Sequence, residues 1–311
     1  MRIDAITFKQ LRALLAVVEH GSLTAAAKAL HQTTPTIHSQ IRNLEACVGQ
    51  KLLNRAGDGG AFVATPAGEA FLHAARRIEV NLAQAKTQVT ALTEGKTGHV
   101  TLGTVSTAKY FAPGLVRLLR DRAPDIEVSL KIANRSETIR AMERGEYDIT
   151  IMGRPSRKTL GKAIPLGPHP HGIVVPADHP LANKDNYDPA DLLEETFLCR
   201  EEGSGTRALM ERYVSNLSIG AVPPMVEMQS NETIKQAVLA GLGIGFLSLH
   251  TVHDEVTSGR LALVRGRDLP VMRHWYLIVP EDPANAPSEA ALRIAKEIEA
   301  LAGRYLPKFN V

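Results

Sequence analysis

Apolar positions fall at helical spacing through the first part of the chain. Phe8, Leu11, Leu14, Leu15 and Val18 predict one amphipathic helix, and Gly21 stops it. Ser22 stands as an N-cap before a second, Ala-rich helix over Leu23–Leu30, with Ala26 and Leu30 on one face. Thr34-Pro35 restarts a third helix with proline in its first turn. Its buried stripe is Ile37, Ile41, Leu44 and Val48, and Gly49 ends it. Lys51–Arg55 and Ala61–Ala64, separated by Gly57-Asp58-Gly59-Gly60, predict a two-stranded wing. Thr65-Pro66-Ala67-Gly68-Glu69 then caps a longer helix. Within it Phe71, Ala75, Ile78, Leu82, Ala85, Val89 and Leu92 recur at spacings of four and three, the rhythm of a coiled-coil seam. A helix packed on its own domain can share that rhythm, since alanine at two positions is soft. The polar residues Gln84, Lys86 and Gln88 between seam positions favour an exposed, dimerising helix.

From His99 the pattern changes to strands alternating with helices. Strands are predicted at Val100–Val105, Glu127–Ile132, Asp148–Met152, Gly172–Val175, Thr196–Cys199, Met225–Met228, Gly245–Leu247 and Tyr276–Val279. Helices fall between them, as at Pro113–Arg122, Thr138–Arg144, Arg207–Asn216 and Glu232–Ala240. That alternation predicts an α/β fold with parallel or mixed sheets. The segment is long for one sheet, so Pro165–Pro180 is expected to cross into a second lobe and the region near Gly266–His274 to return.

Composition narrows the class. At 311 residues, 44% hydrophobic and 22% charged, the chain has ordinary globular usage and length for two or three domains. Its longest apolar stretches, such as Leu261–Val264 and Trp275–Val279, fall far short of the about 18–20 residues a membrane span needs. No secretory signal pattern opens the sequence, so a cytoplasmic protein without a membrane partner is expected. Two cysteines, Cys47 and Cys199, exclude a disulfide framework and a cysteine-based metal cluster. The net charge of +3 is all N-terminal: residues 1–94 hold 10 Lys+Arg against 7 Asp+Glu, leaving 26 of each in the remainder. Such asymmetry fits a nucleic-acid module joined to a neutral domain.

Ser22–Glu45 carries the most chemistry. Small residues at Ala25–Ala27, a short polar turn, then Ile37 and Ile41 at matching offsets describe a helix-turn-helix whose second helix offers its polar face to the major groove. That face holds Thr34, Thr36, His38, Ser39 and Arg42, which can reach base edges or phosphates. An ordinary helical corner with a solvated face has the same spacing. Ser22 and Pro35 at the helix starts and Arg55 in the wing complete the candidate DNA-binding set. Gly21–Leu30, Pro35, Gln40–Glu45, Gly49, Leu52–Arg55 and Thr65–Gly68 together resemble the LysR-type transcriptional regulators. The resemblance covers the whole chain. It implies a winged helix-turn-helix over 1–65, a linker helix over 66–94 and a two-lobed, periplasmic-binding-protein-like effector domain over 99–311. Lobe I would comprise 99–168 and 272–311, and lobe II 169–271. Members often carry Gln where this chain has Thr34, and Ser where it has His38, so operator preference does not transfer.

Further on, Thr104–Pro113 and Cys199–Arg207 resemble the subgroup of that family controlling carbon-fixation (Rubisco) operons. The resemblance implies an activator answering a phosphorylated metabolite or a nicotinamide nucleotide, with RNA polymerase as a partner. Each stretch is a strand-to-helix turn with hydroxyls at a helix start, where free N–H groups favour anions. Simple N-capping would use the same residues. Candidate effector contacts are Ser106, Thr107, Lys109, Ser204, Gly205, Thr206 and Asn231. Arg135, Arg154 and Arg200 join them because each follows a strand, where α/β crevices hold ligands. Gly241, Gly243 and Gly245 close a helix and enter a strand, the reverse of a dinucleotide phosphate loop. The scattered histidines lack metal-ligand spacing, and Glu201 stands where a nucleophile elbow around Ser204 needs glycine, so neither a metal nor an enzyme is expected.

The expectation is a ligand-responsive regulator bound to a double-stranded DNA operator. It would pair with itself through Phe71, Ile78, Leu82, Val89 and Leu92 as a dimer or tetramer. The competing class is a solute-binding or catalytic α/β protein with an accessory helical N-terminus.

Overall fold

Thr7 starts α1 (Phe8–His20) with a reciprocal pair of hydrogen bonds: its backbone N–H donates to Gln10 Oε1 at 2.8 Å, and its hydroxyl accepts from Gln10 N at 3.4 Å. The structure, a computed structural model, describes residues 2–57, 60–155, 161–184, 188–217, 222–266, 268–282 and 286–309. Residues 1–87 and 88–311 form two compact units.

In the first unit, Gly21 ends α1 in the left-handed region, and its carbonyl accepts from Phe62 N at 2.9 Å. Ser22 caps α2 (Leu23–Ala29) by accepting from Ala25 N at 3.1 Å. α3 (Thr34–Val48) starts where the sequence predicts and is capped by Thr33, whose hydroxyl accepts from Thr36 N. Ile37, Ile41 and Leu44 point from α3 into one core with Leu11, Leu14, Val17 and Ala26. The wing is β1 (Leu53–Arg55) paired antiparallel with β2 (Phe62–Ala64), and Glu45 holds its start by accepting from Leu52 N at 2.8 Å. The turn residues Asp58 and Gly59 lie outside the described residues.

α4 (Pro66–Thr93) follows, with the Thr65 hydroxyl accepting from Gly68 N at 3.0 Å. Gly68 has a steric reason: a Cβ there would lie 2.0 Å from the Leu52 carbonyl oxygen. Leu72 and Ala75 are fully buried in the first unit's core, with Phe71 half-buried against it. Further along, the seam is uncovered: Ile78 is 38% exposed, Leu82 52%, Val89 62% and Leu92 55%.

The second unit is built on a nine-stranded sheet in the order β4-β3-β5-β11-β6-β9-β7-β8, with β10 also paired to β6. One half holds the parallel strands β3 (Gly98–Val105), β4 (Ile126–Ala133) and β5 (Ile149–Met152). The other holds the parallel β7 (Phe197–Arg200), β8 (Met225–Met228) and β9 (Ile244–Ser248). β6 (Lys162–Pro176) and β11 (Val271–Val279) run antiparallel between them, from His171 opposite Val271 to Lys162 opposite Val279. The two segments expected to cross between lobes are therefore themselves long strands. Hydrogen bonding continues through the crossing, and the hydrophobic cores are what separate the halves. Among the described residues, β10 (Leu261–Leu263) pairs only with β6.

The first half's core joins Leu102, Ile149 and Ile151 to Trp275, with Leu115 and Leu119 from α5 (Ala112–Arg122) and Ile294 and Ile298 from α11 (Glu289–Ala300). In the second half, strand alternation divides residues between two faces. Ile173, Phe197 and Phe246 pack with Met210 of α8 (Gly205–Leu217), while Val174, Leu198 and Leu247 pack with Ile234 of α9 (Asn231–Leu239). α6 (Arg135–Glu143) follows β4, and the short α7 (Pro189–Leu193) and α10 (His253–Thr257) complete the helices among the described residues. No helix is long and apolar enough to cross a membrane among those residues.

Candidate functional site

Two surfaces gather the candidate residues. On the first unit, the face of α3 opposite Ile37 and Ile41 leaves Pro35, Thr36, His38, Ser39 and Arg42 exposed, with Thr34 half-buried. The helical period accounts for it: a buried stripe every three to four residues leaves the intervening positions outside. Thr36 Oγ1 lies 2.8 Å from Thr33 Oγ1, so its hydroxyl also serves the helix start. The Ser22 hydroxyl is committed to its cap. Arg55, exposed on β1, stacks over the Phe62 ring at 5.2 Å.

On the second unit, a cavity of about 720 Å³ opens where strand ends from both halves converge, well within the size range of small-ligand pockets. From the first half come Ser106 and Thr107 after β3, Arg135 and Ser136 at the start of α6, and Gly153 and Arg154 after β5. The other half supplies the turn Gly203–Thr206, which opens α8. His169 and His171 of β6 and Arg273 of β11 form further wall. The halves touch directly across it: Ser136 donates from both its backbone N and its hydroxyl to the Gly203 carbonyl, each at 3.2 Å. Gly203 is required twice over, by φ +84° and because a Cβ would lie 2.8 Å from Ser136 Oγ.

The cavity's charge is unbalanced. Arg207 is neutralised by Glu211 at 2.8 Å and by Glu227. Arg135, Arg154, Arg212 and Arg273 also line it, and among the described residues none of them has a carboxylate within ion-pair distance; Glu202 is the acid on the wall that Arg207 does not pair. Burial lowers the pKa of Arg135, and the neighbouring Arg154 lowers it further. Two guanidiniums thus repel each other at the mouth of one cavity. The first N–H groups of α8, which a helix leaves without intrahelical acceptors, add a positive dipole end at Gly205 and Thr206. This arrangement suits an anion.

Seven of the ten expected effector residues line this cavity: Ser106, Thr107, Arg135, Arg154, Ser204, Gly205 and Thr206. Arg200, Asn231 and Lys109 do not. Arg200 is 2% exposed and pairs with Glu201 at 2.7 Å, so it supplies no free charge. It donates to Asn231 Oδ1 at 2.5 Å within its own half and ties the two halves by donating to Ser106 Oγ at 3.3 Å. Lys109 sits over the Tyr110 ring at 5.2 Å. Sequence reasoning missed His169, His171, Arg212 and Arg273. The histidines carried a readable signal, since positions two apart face the same side of a strand.

A further cluster backs the cavity. His169 stacks on Trp275 with ring centroids 3.8 Å apart, and Trp275 Nε1 donates to His250 Nδ1 at 3.1 Å. Burial pushes His169 well below its ordinary value, His171 to about 3 and His250 to about 4. All three rings are held neutral.

Comparison with known proteins identifies matching families and relatives. The model described as "Bacterial regulatory helix-turn-helix protein, lysR family" matches residues 8–69, and "LysR substrate binding domain" matches 93–298. "HTH-type transcriptional regulator CbbR" of Cereibacter sphaeroides is 52% identical over 307 residues, covering 99% of this chain and 98% of the relative. The "RuBisCO operon transcriptional regulator" of Allochromatium vinosum is 34% identical, covering 93% of this chain and 94% of the relative. Among solved structures, the regulatory domain of Synechocystis PCC6803 CcmR in complex with 2-PG is 31% identical with a TM-score of 0.62. It covers 66% of this chain and 98% of that one.

The neutral histidines set a pH dependence. Below the ordinary value of 6.5 the unfolded chain protonates His250, while the folded chain resists down to about 4. The unfolded state then binds more protons, so stability rises with pH across that window and is lost as pH falls through it. Urea midpoints for the second unit should drop between pH 6.5 and 4, less steeply in His250→Gln. Equal slopes in the two proteins would remove His250 from the account.

Proposed function

The chain belongs to the LysR family of bacterial transcriptional regulators, and from that membership we propose that it binds operators of carbon-fixation genes and answers a phosphorylated anion. Its relatives are regulators rather than enzymes, and the carbon-fixation assignment follows the printed roles of the CbbR-type and RuBisCO-operon relatives. The observation that carries the anion reading is the pair Arg135 and Arg154, which line one cavity with no carboxylate within ion-pair distance of either among the described residues. A phosphate ester relieves that repulsion and accepts from the N-terminus of α8 and the hydroxyls of Ser106, Thr107, Ser204 and Thr206. A phosphorylated metabolite or a nicotinamide nucleotide supplies such a group, and 2-PG in the CcmR structure supports the same class.

In this reading residues 1–65 bind DNA, 66–94 pair protomers, and 99–311 bind the effector between lobes 99–168 with 272–311 and 169–271. The protein works as an activator in the cytoplasm, where its DNA is, and contacts RNA polymerase from the operator. The ligand acts only through unequal affinity for two arrangements of the lobes. The Ser136–Gly203 contact is where that difference is felt, since it closes one arrangement.

Selection from random DNA tests the DNA assignment. His38→Ala and Ser39→Ala should each relax base preference by about 1–3 kcal/mol at one position. Arg42→Ala and Arg55→Ala should weaken all sequences and reduce the salt slope by about one each, as phosphate contacts do. An unchanged motif in the His38/Ser39 double variant removes those residues from base readout.

Assembly is tested on the uncovered stripe of α4. Ile78→Lys with Leu82→Lys places charges in a paired apolar seam, where desolvation opposes association. Both side chains are exposed in the single chain, so folding should survive. Sedimentation should report smaller species with much weaker operator binding. An intact oligomer would assign the pairing elsewhere.

A further inference from the structure

His169 is buried, yet one of its ring nitrogens has no hydrogen-bond partner among the described residues. The ring is 3% exposed and lies stacked on Trp275. Its Nε2 is 3.0 Å from the hydroxyl of the fully buried Ser248. Its Nδ1 has no hydrogen-bond partner among the described residues, although the ring lines the cavity. The adjoining wall is Gly153, where a Cβ would come within 2.7 Å of Nδ1, so only glycine leaves room beside that buried nitrogen. A buried polar atom without a partner is costly, and native proteins keep one where something else completes it.

The tautomer follows from Ser248. A buried hydroxyl needs an acceptor for its proton, and among the described residues Ser248 Oγ has only His169 Nε2. Ser248 therefore donates, Nε2 accepts, and the proton of the neutral ring sits on Nδ1. His171 is placed differently: its Nδ1–H donates to the His169 carbonyl at 3.1 Å, so that proton is already engaged. Of the two cavity histidines, His169 is the one whose N–H is unengaged among the described residues.

We propose that His169 Nδ1–H is a specificity-determining donor for the effector, selecting phosphorylated ligands that carry a second, uncharged acceptor oxygen such as a carbonyl. The proposal rests on the anion reading of the cavity. Arginines and a helix N-terminus hold any phosphate ester; a neutral N–H distinguishes among such esters by what else they bear. A ring that stays uncharged gives this discrimination without adding a further cation.

The test uses two esters that differ only in one carbonyl, hydroxyacetone phosphate and propyl phosphate, titrated calorimetrically against the full-length protein. The wild type should bind hydroxyacetone phosphate about tenfold more tightly, the worth of one well-made hydrogen bond. His169→Phe, which keeps a ring on Trp275, should reduce that ratio to about one. Gly153→Ala keeps the histidine but crowds Nδ1, and should do the same if the first variant does not fold. In the wild type, the ¹⁵N resonance of Nδ1 should move on adding hydroxyacetone phosphate and stay with propyl phosphate. A tenfold ratio that persists in both variants, or a wild type indifferent to the carbonyl, overturns the assignment of His169 while leaving the anion reading intact. Binding of neither ester overturns both.

Discussion

The antiparallel pairing of β6 with β11 is the constraint on which the second unit depends. It runs from His171 opposite Val271 to Lys162 opposite Val279, and its strands border a parallel trio on either side. Residues two apart share a face of a strand, and here that face serves several ends at successive positions along its length. β11 delivers Trp275 and Leu277 to the core of the first half and Arg273 to the cavity wall. β6 delivers Ile173 and Val175 to one core of the second half, and His169 and His171 to the cavity. A slip of one residue would turn all of these side chains to the opposite face of the sheet at once. The stacked His169–Trp275 pair and the Trp275–His250 hydrogen bond fasten the register from within.

Electrostatics then decides what the cavity accepts. Where the second half meets the first, its own charges are matched: Arg200 with Glu201, and Lys235 with Glu232 and Glu255, each at 3.0 Å or less. Tyr110 of one half donates to Glu232 of the other at 3.1 Å, beside that matched group. Inside the cavity Arg207 is matched, but Arg135, Arg154, Arg212 and Arg273 are left without acids among the described residues. The contrast within one unit argues that the imbalance is a binding property rather than surface noise. Direct contacts of Ser136 with Gly203 and of Arg200 with Ser106 make the relation between the halves sensitive to whatever enters.

Much of the first unit was legible because its signals are local. Gly21, Ser22, Pro35 and Gly49 punctuate the helices as their backbone preferences require, and the stripe Ile37–Ile41–Leu44 is buried. The effector strands were legible for their apolar runs, and Ser106, Thr107 and the Gly203–Thr206 turn for their hydroxyls at strand ends. What escaped depends on distant pairing. Glu289–Ala300 has helical apolar spacing at Ala291, Ile294, Ala295 and Ile298, but in sequence it follows the prolines Pro280, Pro283 and Pro287, which obscured it. The prolines around His169 and His171 suggested a lobe crossing, and only the register with β11 makes that segment a strand lining a cavity. Arg200 looked like its neighbours in sequence; the adjacent Glu201 and the remote Asn231 turn it from ligand contact to internal tie.

The central claim is that the unmatched guanidiniums Arg135 and Arg154 make the cavity an anion site. A double-mutant cycle with Arg135→Gln, Arg154→Gln and the double variant, read as calorimetric affinity for propyl phosphate at fixed ionic strength, tests it most directly. Loss of one charge-assisted contact costs about 1.5–3 kcal/mol, so each single variant should bind at least tenfold more weakly, and the double variant should show no measurable binding. Wild-type affinity retained in the double variant would contradict the account.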